Sequence, residues 1–491
     1  MQRHTGTDDE ARLPMPLRRR DGIAAVAAAL GTLVLPSRGN AQPVSERQPL
    51  TTTNIGDDFT LALGGDILLA KAVPTTVHNR VVVNLLQQAD LALANLEIPI
   101  VDVRPGKVTP ANIGYLLTLS PPEVAPYLKQ IGFHLLSYAN NHTLDWGAAG
   151  ARETIRHLSA VGISAAGFGE TRSAARAPVF FTTPKGRVGL VAFTATFWPG
   201  WVAADPVGVI PGVPGVSALR TTRYDLVTRE QFATLRQIDS QHNPAEAIVP
   251  PPTGDNLTFR GVRFRAGEKP GTAYEMHSDD KADILRNVRQ AKQQSDFIVV
   301  SMHNHEQPGC DNPIASGDGS AWRCQKPVEF MSTIAREAID NGADVFLAHG
   351  PHVLLGIEIY KGRPIFYSMG NLFAQSEAVT QIRDGYPTGM TSKDTLPEWS
   401  EKFWTFYEQD TTMHESVVAV ATFRNNRIAE LKLHPLDLGA QRRQSDRGTP
   451  EPASPAVAQR ILKRLQGMSE PYGTQIAIED NIGVIRIDSQ G

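Results

Sequence analysis

Short apolar runs alternate along the chain with stretches in which apolar residues recur at helical spacing, and this alternation predicts a mixed α/β (α+β) fold. Five of the runs read as strands that end in side chains able to bind metal or move protons. These runs are 59–66, 89–97, 133–142, 296–306 and 343–352. Because ligands lie beyond the carboxyl ends of the strands in an open α/β sheet, we expect one sheet to bring all five endings to one edge.

The other elements follow from apolar spacing and from turn residues. The predicted helices are 121–130, the stretch from Gly147 to Gly162, the region near 228–240, 279–294 and 326–341, and the predicted short strands are 162–166, 187–194, 364–369 and 416–423. Residues 197–280 interrupt the pattern with Pro/Gly-rich pieces and are interpreted as a long insertion. Such an insertion is either a lid or substrate-shaping element beside the site, or a flexible loop.

The chain divides into four parts by composition. They are an export signal at 1–41, a domain at 57–438 that contains the insertion 197–280, a polar linker at 439–456, and a C-terminal extension at 457–491 with a short helix and one or two strands. With 491 residues, 41% of them hydrophobic and 20% charged, the composition is that of a soluble globular protein. The net charge of −3 gives no electrostatic reason to expect nucleic acid as a partner.

The N-terminus has the pattern of an export signal. Arg18, Arg19 and Arg20 precede an apolar stretch at 23–35, and a small-x-small site ends at Ala41. The paired arginines favour the twin-arginine route, ordinary secretion stays open, and an unstructured basic tail is the alternative. The export reading predicts a periplasmic or secreted protein with no stable membrane span in its mature form.

The two cysteines, Cys310 and Cys324, lie in one loop rich in Gly, Asp, Asn and Pro. After export they can form a disulfide, which the loop-entropy model values at about 3 kcal/mol, or remain free thiols. Two cysteines in one loop do not make a zinc site.

Carboxylates, amides and imidazoles follow the five apolar runs. Asp66 comes after two glycines, and Glu97 ends a run where a carboxylate can bridge two metals or simply be solvated. Asn141 offers an amide oxygen to a hard cation, and the adjacent His142 can give or take a proton. Asp145 either orients His142 or caps a helix.

The two later runs end in histidines. His303 and His305 point to the same side if their strand continues. His305 and Glu306 are candidate catalytic residues, with Glu306 as a reserve acid or base. His349 and His352 flank a Gly-Pro turn that can aim one or both inward. Mixed carboxylate, amide and imidazole donors favour one or two divalent ions, with Zn, Mn or Fe ahead of Mg.

These motifs resemble those of the CapA family (also called PgsA-type), which is linked to poly-γ-glutamate capsule synthesis. The resemblance covers about residues 58–375 and rests on GGD, NLE, NNHTLDWG, SMHNHE and AHGPHVLLGIEIYKGRPIFYSMGNLF. It implies a four-layer α-β-β-α sandwich of metallophosphatase type around a metal site. The roles that it implies are metal ligand for Asp66, Glu97 (bridging), Asn141, His303 and His352, and proton handling for His142.

The chain departs from the family pattern at three places. The usual Asp-x-His start reads Asp66-Ile67-Leu68, so one ligand is missing, and His305 or His349 is expected to compensate. The usual His-Trp-Gly-x-Glu reads His303-Asn304-His305-Glu306, and the usual His-His-Pro-His reads His349-Gly350-Pro351-His352. These departures leave the metal count open.

Two functional hypotheses follow. The first is an exported metal-dependent hydrolase that acts on a γ-glutamyl or other peptide amide or on a phosphoester, with metal-dependent peptidyl epimerisation as a variant that uses the same residues. The second is a non-catalytic component of a polyglutamate synthesis or export machinery, which would place capsule synthesis proteins among its partners.

The export signal can be tested directly. We predict that residues 1–41 are absent from the mature protein in its native host, because the basic, apolar and small-residue segments form a processing signal. N-terminal sequencing of exported material checks this, and a sequence that still begins at Met1 would contradict it.

Overall fold

The computed structural model describes residues 54–487 apart from 105, 112–115, 243–253, 307, 309–325, 383–392, 396–397, 399–401 and 403–410. The predicted signal at 1–41 and both cysteines, Cys310 and Cys324, lie outside the described residues. Among the residues that are described, no helix combines the length and the hydropathy needed to cross a bilayer.

The strands, in chain order, are β1 (Phe59–Leu68), β2 (Leu91–Leu96), β3 (Leu116–Thr118), β4 (Phe133–Ser137), β5 (Ser164–Ala166), β6 (Phe168–Gly169), β7 (Val179–Thr183), β8 (Gly186–Thr194), β9 (Gly215–Val216), β10 (Thr221–Thr228), β11 (Asn256–Phe259), β12 (Val262–Gly267), β13 (Gly271–Met276), β14 (Phe297–His303), β15 (Val345–His349), β16 (Ile357–Tyr360), β17 (Arg363–Phe366), β18 (Asn371–Ala374), β19 (Val379–Ile382), β20 (Glu415–Arg424), β21 (Arg427–Asp437), β22 (Glu451–Pro452), β23 (Ala477–Glu479) and β24 (Ile482–Arg486). The helices are α1 (Arg80–Gln88), α2 (Val124–Gln130), α3 (Gly147–Ala160), α4 (Arg172–Arg176), α5 (Arg229–His242), α6 (Ser278–Gln294), α7 (Glu329–Asp340) and α8 (Pro455–Ser469).

Two mixed sheets form the core of the fold. The larger has ten strands in the order β23-β24-β21-β20-β1-β2-β4-β5, with β18 paired to β1 and β22 to β21. The smaller has six strands in the order β16-β17-β15-β14-β8-β7. Strands β1, β2 and β4 of the larger sheet run parallel to one another, as do β8, β14 and β15 in the smaller sheet.

Side chains alternate between the two faces of each strand, so one set faces the other sheet and the other set faces the helices. Phe59 and Leu61 of β1 face Phe297 and Val299 of β14 across the space between the sheets, where the rings of Phe59 and Phe297 lie 5.2 Å apart. The opposite face of the larger sheet packs against α1, α2 and α3, and that of the smaller sheet against α6 and α7. The predicted four-layer α-β-β-α sandwich is therefore confirmed.

The expectation that one sheet carries all five strand endings is wrong. The runs at 59–66, 89–97 and 133–142 belong to the larger sheet, and those at 296–306 and 343–352 belong to the smaller one. The endings still meet, because the two sheets stack face to face and the side chains at the ends of both sets of strands point into the space between them.

The C-terminal segment is built into the core. Strand β24 pairs with β21 and extends the larger sheet. Helix α8 places Ile461, Leu462 and Leu465 in the cluster of buried residues that fills the space between the sheets. The segment 439–456, predicted as a linker, includes β22, which pairs with the end of β21.

The insertion at 197–280 contains a sheet that the sequence pattern did not indicate. Strands β11, β12, β10 and β13 pair in that order, and α5 follows β10. The insertion is anchored near its base by Asp280, whose carboxylate accepts hydrogen bonds from Arg176 at 2.7 Å and from Arg220 at 2.6 Å. Burial alone would raise the pKa of Asp280, but the two guanidinium groups outweigh it and lower the pKa to about 2.

Two glycines let β1 bend towards the space between the sheets. The pairing register of β1 with β2 shifts between Leu63 and Asp66, and it shifts again with β18 after Asp66. A Cβ atom on Gly65 would lie 1.8 Å from the carbonyl oxygen of Gly370. Only a residue without a side chain therefore allows the backbone of Gly370 to accept the Asp66 N–H at 3.0 Å, the contact that fixes Asp66.

We predict that Gly65→Ala destabilises the protein by about 1–3 kcal/mol or more, because the added carbon must displace backbone rather than a flexible side chain. Gly467→Ala in α8 is the matched control, since a Cβ there meets nothing within 4 Å. Helix propensity should make that control neutral or more stable by about 0.5–1 kcal/mol. Urea unfolding of both variants measures the difference, and equal stabilities would contradict the close approach at Gly65.

Candidate metal centre

The polar residues of the site continue the rows of core-facing side chains. In β14 the residues at alternate positions from Phe297 face the larger sheet, so Ser301 and His303 face it too. His349 of β15 pairs in register with His303. From the larger sheet, Asn95 of β2 reaches across to within 3.3 Å of the His303 Nδ1 atom. The same period-2 pattern that builds the core thus brings the polar endings of both sheets together.

Asp66 is fully buried and held from three directions. Its Oδ1 atom accepts a hydrogen bond from Asn95 at 2.8 Å, and its Oδ2 atom accepts one from the Gly350 N–H at 3.0 Å. The Nδ1 atoms of His349 and His352 lie 3.5 and 3.4 Å from the Asp66 carboxylate. Burial acts to raise the pKa of Asp66, but the contacts with His352, His349 and Asn95 together outweigh the effect of burial, and the pKa falls below its usual value.

Glu97 is the second buried carboxylate, and it is held very differently. Neither of its oxygens has a hydrogen-bond partner among the described residues, although both are buried. The Nε2 atoms of His303 and His305 each lie 3.5 Å from Oε1, and the Nδ1 atom of His352 lies 3.7 Å from Oε2. Burial and the nearby Asp66 carboxylate raise the pKa of Glu97 well above its usual value.

The spacing of these groups fits a bound cation. The carboxylate–imidazole separations of 3.4–3.7 Å at Asp66 and Glu97 exceed the usual length of a hydrogen bond. Two atoms that each bind a tetrahedral zinc ion at about 2.0–2.2 Å lie roughly 3.3–3.6 Å from each other, which is the spacing seen here. Among the described residues, the groups able to hold an ion are Asp66 with His303 and His349, Glu97 with His303 and His305, and Asp66 with Glu97 and His352. The donor set therefore fits a divalent metal.

The imidazoles of the site are poised as neutral ligands. Burial lowers the pKa of His303 well below its usual value, and the neighbouring imidazoles act in the same direction. Burial also lowers the pKa of His305 to about 3 and that of His349 to about 4. Neutral imidazole is the form that binds metal, so no proton has to leave these rings at neutral pH.

His349 is held by hydrogen bonds at both ring nitrogens. Its Nε2 atom lies 2.8 Å from the Ser301 hydroxyl, and its Nδ1 atom lies 3.0 Å from the Nδ1 atom of His303. In this arrangement the His349 ring orients His303, whose Nε2 atom is directed towards Glu97. A metal held by the His349 Nδ1 atom would take the place of its contact with His303. Outer hydrogen bonds of this kind fix the orientation of a metal-binding imidazole.

The Gly350-Pro351 turn between His349 and His352 places His352 at the site. Gly350 has a φ of +120°, and a Cβ atom there would lie 2.6 Å from the Asn304 carbonyl oxygen. His352 itself has a φ of +59°, a conformation unusual for a residue with a side chain. The His352 Nδ1 atom lies 2.8 Å from the Oδ1 atom of Asn371, the residue that pairs with Asp66 across β1 and β18.

The loop after β4 contains Asn140, Asn141 and His142, and each of them has a different role. The Asn140 amide donates to the Leu96 carbonyl oxygen at 2.8 Å and to Asn95 at 3.2 Å, which ties the loop to β2. The Asn141 Oδ1 atom is buried and has no hydrogen-bond partner among the residues described, so it remains able to bind a cation.

His142 is oriented by a carboxylate. Its Nδ1 atom donates to Asp145 at 2.9 Å, and the same Asp145 oxygen accepts from the N–H and the hydroxyl of Thr118 at 2.7 and 2.8 Å. The structure therefore favours the orienting role of Asp145 over helix capping, because α3 has no side-chain hydrogen bond at its N-cap. With Nδ1 occupied, Nε2 is the His142 atom that is left to exchange a proton.

Glu306 lies outside the three candidate metal groups. Its carboxylate accepts a hydrogen bond from the hydroxyl of Tyr274 at 2.7 Å, and the Tyr274 ring packs against Phe330 of α7 at 5.5 Å. Since Tyr274 belongs to β13, this bond connects the insertion sheet to the loop that carries His305. Among the residues that support the site, the sequence reasoning missed Ser301, Asn371, Thr118 and Tyr274.

Several known proteins are similar in sequence to this chain over half of its length or more. A family model described as bacterial capsule synthesis protein PGA_cap matches residues 60–376. An uncharacterized protein of Sinorhizobium fredii (strain NBRC 101917 / NGR234) is 40% identical over 468 residues, which cover 89% of this chain and 95% of that protein. The capsule biosynthesis protein CapA of Bacillus anthracis is 24% identical over 67% of this chain and 62% of that protein. A probable polyglutamine synthesis accessory protein of Mycobacterium tuberculosis (strain CDC 1551 / Oshkosh) is 26% identical over 52% of this chain and 50% of that protein.

The raised pKa of Glu97 makes metal binding depend on pH. In the metal-free protein this carboxyl holds a proton over a wider pH range than an ordinary glutamate, so we expect metal binding below the raised pKa to release a proton and the affinity to fall as the pH falls. Calorimetric titration with Zn²⁺ at one pH, in buffers with different ionisation enthalpies, measures the number released. Glu97→Gln, which has no such proton, should bind more weakly and release almost none. Equal proton release by both proteins would show that the proton is not on Glu97.

Proposed function

Because the chain belongs to the PGA_cap family of bacterial capsule synthesis proteins, we propose that it is an exported, metal-dependent hydrolase of capsular polyglutamate metabolism. The proposed substrate bond is a γ-glutamyl or other peptide amide, with a phosphoester as the alternative. The observation that carries the proposal is the buried Glu97 carboxylate, which lacks hydrogen-bond donors among the described residues and faces three imidazoles. The proposed location is the periplasm or the exterior of the cell.

The proposed metal ligands come from both sheets. They are Asp66, Glu97, Asn141, His303, His349 and His352, with His305 beside them. A divalent metal such as Zn, Mn or Fe would lower the pKa of a bound water to about 7 and polarise an oxygen of the substrate. The role of the surrounding sheets is to keep these donor atoms apart at the observed spacing and to keep water away from the carboxylates.

His142 is the proposed proton-transfer residue. Asp145 can only accept from the imidazole, so it fixes the proton on Nδ1 and leaves Nε2 to give or take a proton. The His142 side chain is 11% exposed, whereas the His303 and His349 side chains are fully buried. A substrate can therefore reach His142 from the rim of the site, and Glu306 is the proposed reserve acid or base.

The insertion is proposed to form one wall of the substrate cleft. Tyr274 holds Glu306 at the point where the insertion sheet meets the loop after β14. The proposed substrate is a peptide or a polyglutamate-like chain, and its sequence specificity would depend on this wall.

A non-catalytic role in polyglutamate synthesis is the second proposed function. It is favoured by the name of the mycobacterial relative, a probable polyglutamine synthesis accessory protein. In that case the metal would hold the site in shape or bind carboxylates, and capsule synthesis proteins would be its partners. Such a component needs no proton-transfer residue that is oriented by a carboxylate, whereas Asp145 orients His142 in this way.

Two substitutions separate the roles of binding metal and transferring protons. We predict that His142→Ala keeps the fold and most of the metal but loses roughly 100-fold or more in turnover, because it removes a positioned acid or base. Glu97→Ala should lose metal and turnover together. Metal content is measured by elemental analysis, and turnover is measured on a panel of γ-glutamyl peptides and phosphoesters.

His157→Ala is the matched control for this experiment, since His157 lies on α3 and contacts Glu153, away from the site. It should retain both metal and turnover. Unchanged turnover in metal-replete His142→Ala would remove His142 from the mechanism. Full restoration of polymer production by that variant in the host would favour the non-catalytic role.

A further inference from the structure

We infer that the hairpin at residues 204–213 (the apolar hairpin) inserts its tip into the surface of a lipid bilayer. This inference goes beyond the proposed function and does not depend on it, because contact with lipid requires neither a bound metal nor a substrate. It assigns a binding surface to a part of the insertion that has no role in the metal centre.

The first observation is that the tip of the apolar hairpin exposes aliphatic side chains to water. Val209 is fully exposed, Val207 and Ile210 are 71% and 65% exposed, and Val213 on the returning arm is 46% exposed. The segment 206–219 contains no charged residue. Clustered apolar side chains at a protein surface mark a site that binds another protein or a membrane.

The second observation is that the tip has few unpaired backbone donors. Val207 and Ile210 exchange two backbone hydrogen bonds of 3.0 Å. Pro206 and Pro211 on either side of them have no N–H group. Within this tip only the two turn residues therefore keep an N–H without a backbone partner among the described residues. Shallow insertion leaves these donors and the remaining carbonyl oxygens at the level of the lipid headgroups, where water and polar groups can pair with them.

The third observation is that the base of the hairpin is fixed to the rest of the domain. The Asp205 carboxylate accepts hydrogen bonds from the N–H and the hydroxyl of Ser173 at 2.8 and 3.0 Å. The Ala203 N–H donates to the Val216 carbonyl oxygen of β9 at 3.3 Å, and β9 pairs with β6. These bonds hold the arms in place, so the tip is presented to the surroundings by the fold itself.

The size and charge of the tip favour a bilayer over other partners. A stable protein–protein interface uses about 20–30 residues on each side, far more than this tip offers. A bilayer needs only the apolar area that enters it. Trp198 is 39% exposed and Trp201 is half-buried where the chain enters the hairpin, and tryptophan is enriched at the boundary between lipid and water. An anionic polymer finds no positive charge on the tip to bind.

The apolar hairpin is connected directly to the edge of the metal centre. It follows β8, whose last residue Thr194 pairs in register with His303. Two residues later, the Thr196 hydroxyl accepts a hydrogen bond from the His305 N–H at 2.9 Å. A bilayer that binds the hairpin therefore holds a segment attached to the edge of the site, which favours substrates that lie at the membrane surface.

The experiment measures flotation of the full chain, as isolated from its host, with phosphatidylcholine vesicles and with vesicles that also contain phosphatidylglycerol. We expect binding to both, with no loss of affinity between about 0.1 M and about 0.5 M salt, because the tip carries no charge that salt could screen. Val209→Asp combined with Ile210→Asp should lower the affinity by roughly tenfold or more. Val209→Leu combined with Ile210→Leu retains the apolar area and should retain binding.

Val262→Asp is the matched control, because Val262 is a valine of β12 that is 44% exposed outside the apolar hairpin. It should bind vesicles as the unaltered protein does. Circular dichroism and thermal melting establish that the variants are folded, as expected for a side chain as exposed as Val209.

Three results would overturn the inference. In the first, the unaltered protein floats with neither kind of vesicle, or only with the anionic kind at low salt. In the second, the doubly Asp-substituted protein floats as well as the unaltered one. In the third, light scattering shows that the two Asp substitutions convert a dimer into a monomer without reducing flotation, which would make the hairpin a contact between copies of the chain.

Discussion

The structure depends on the burial of two carboxylates, Asp66 and Glu97, between two sheets. Water is excluded from this space by the aromatic and aliphatic residues behind it, so each charge must be compensated from within the protein. Asp66 is compensated by an amide, a backbone N–H and imidazoles. Glu97 receives no such donor among the described residues, so burial raises its pKa and favours the protonated form, and a bound cation would compensate the charge of the ionised form. The rest of the site follows from this difference.

Much of the site could be predicted because it follows a period of two. When every second residue of a strand is apolar and faces the core, a polar residue at the next such position also faces the core, as His303 and His349 do. The family resemblance, now confirmed by the match over 60–376, supported the same residues. Ser301 could have been found from its parity with His303. Nothing in the sequence shows that its hydroxyl contacts His349, because the two residues are 48 apart in the chain and lie on different strands.

The errors have physical causes as well. Strand pairing could not be deduced from apolar runs, because buried parallel strands are apolar on both faces and resemble one another. The five endings were therefore assigned to one sheet instead of two. The insertion sheet was missed because the residues of β10 are half-buried or exposed and show no clean alternation. Helix α8 was expected, but its place between the sheets was not, since an amphipathic pattern does not say which surface it covers.

The position of α8 and β24 bears on the order of events in folding. Strand β1 near the start of the core pairs with β20, where Phe59 lies opposite Phe423, and β24 then extends the sheet from β21. The larger sheet is thus completed by contacts between distant parts of the chain, which fold slowly because loop closure must precede them. While the chain is still being synthesised, the space between the sheets lacks the helix that fills one side of it. An emerging chain would therefore expose apolar surface until the residues of α8 and β24 appear.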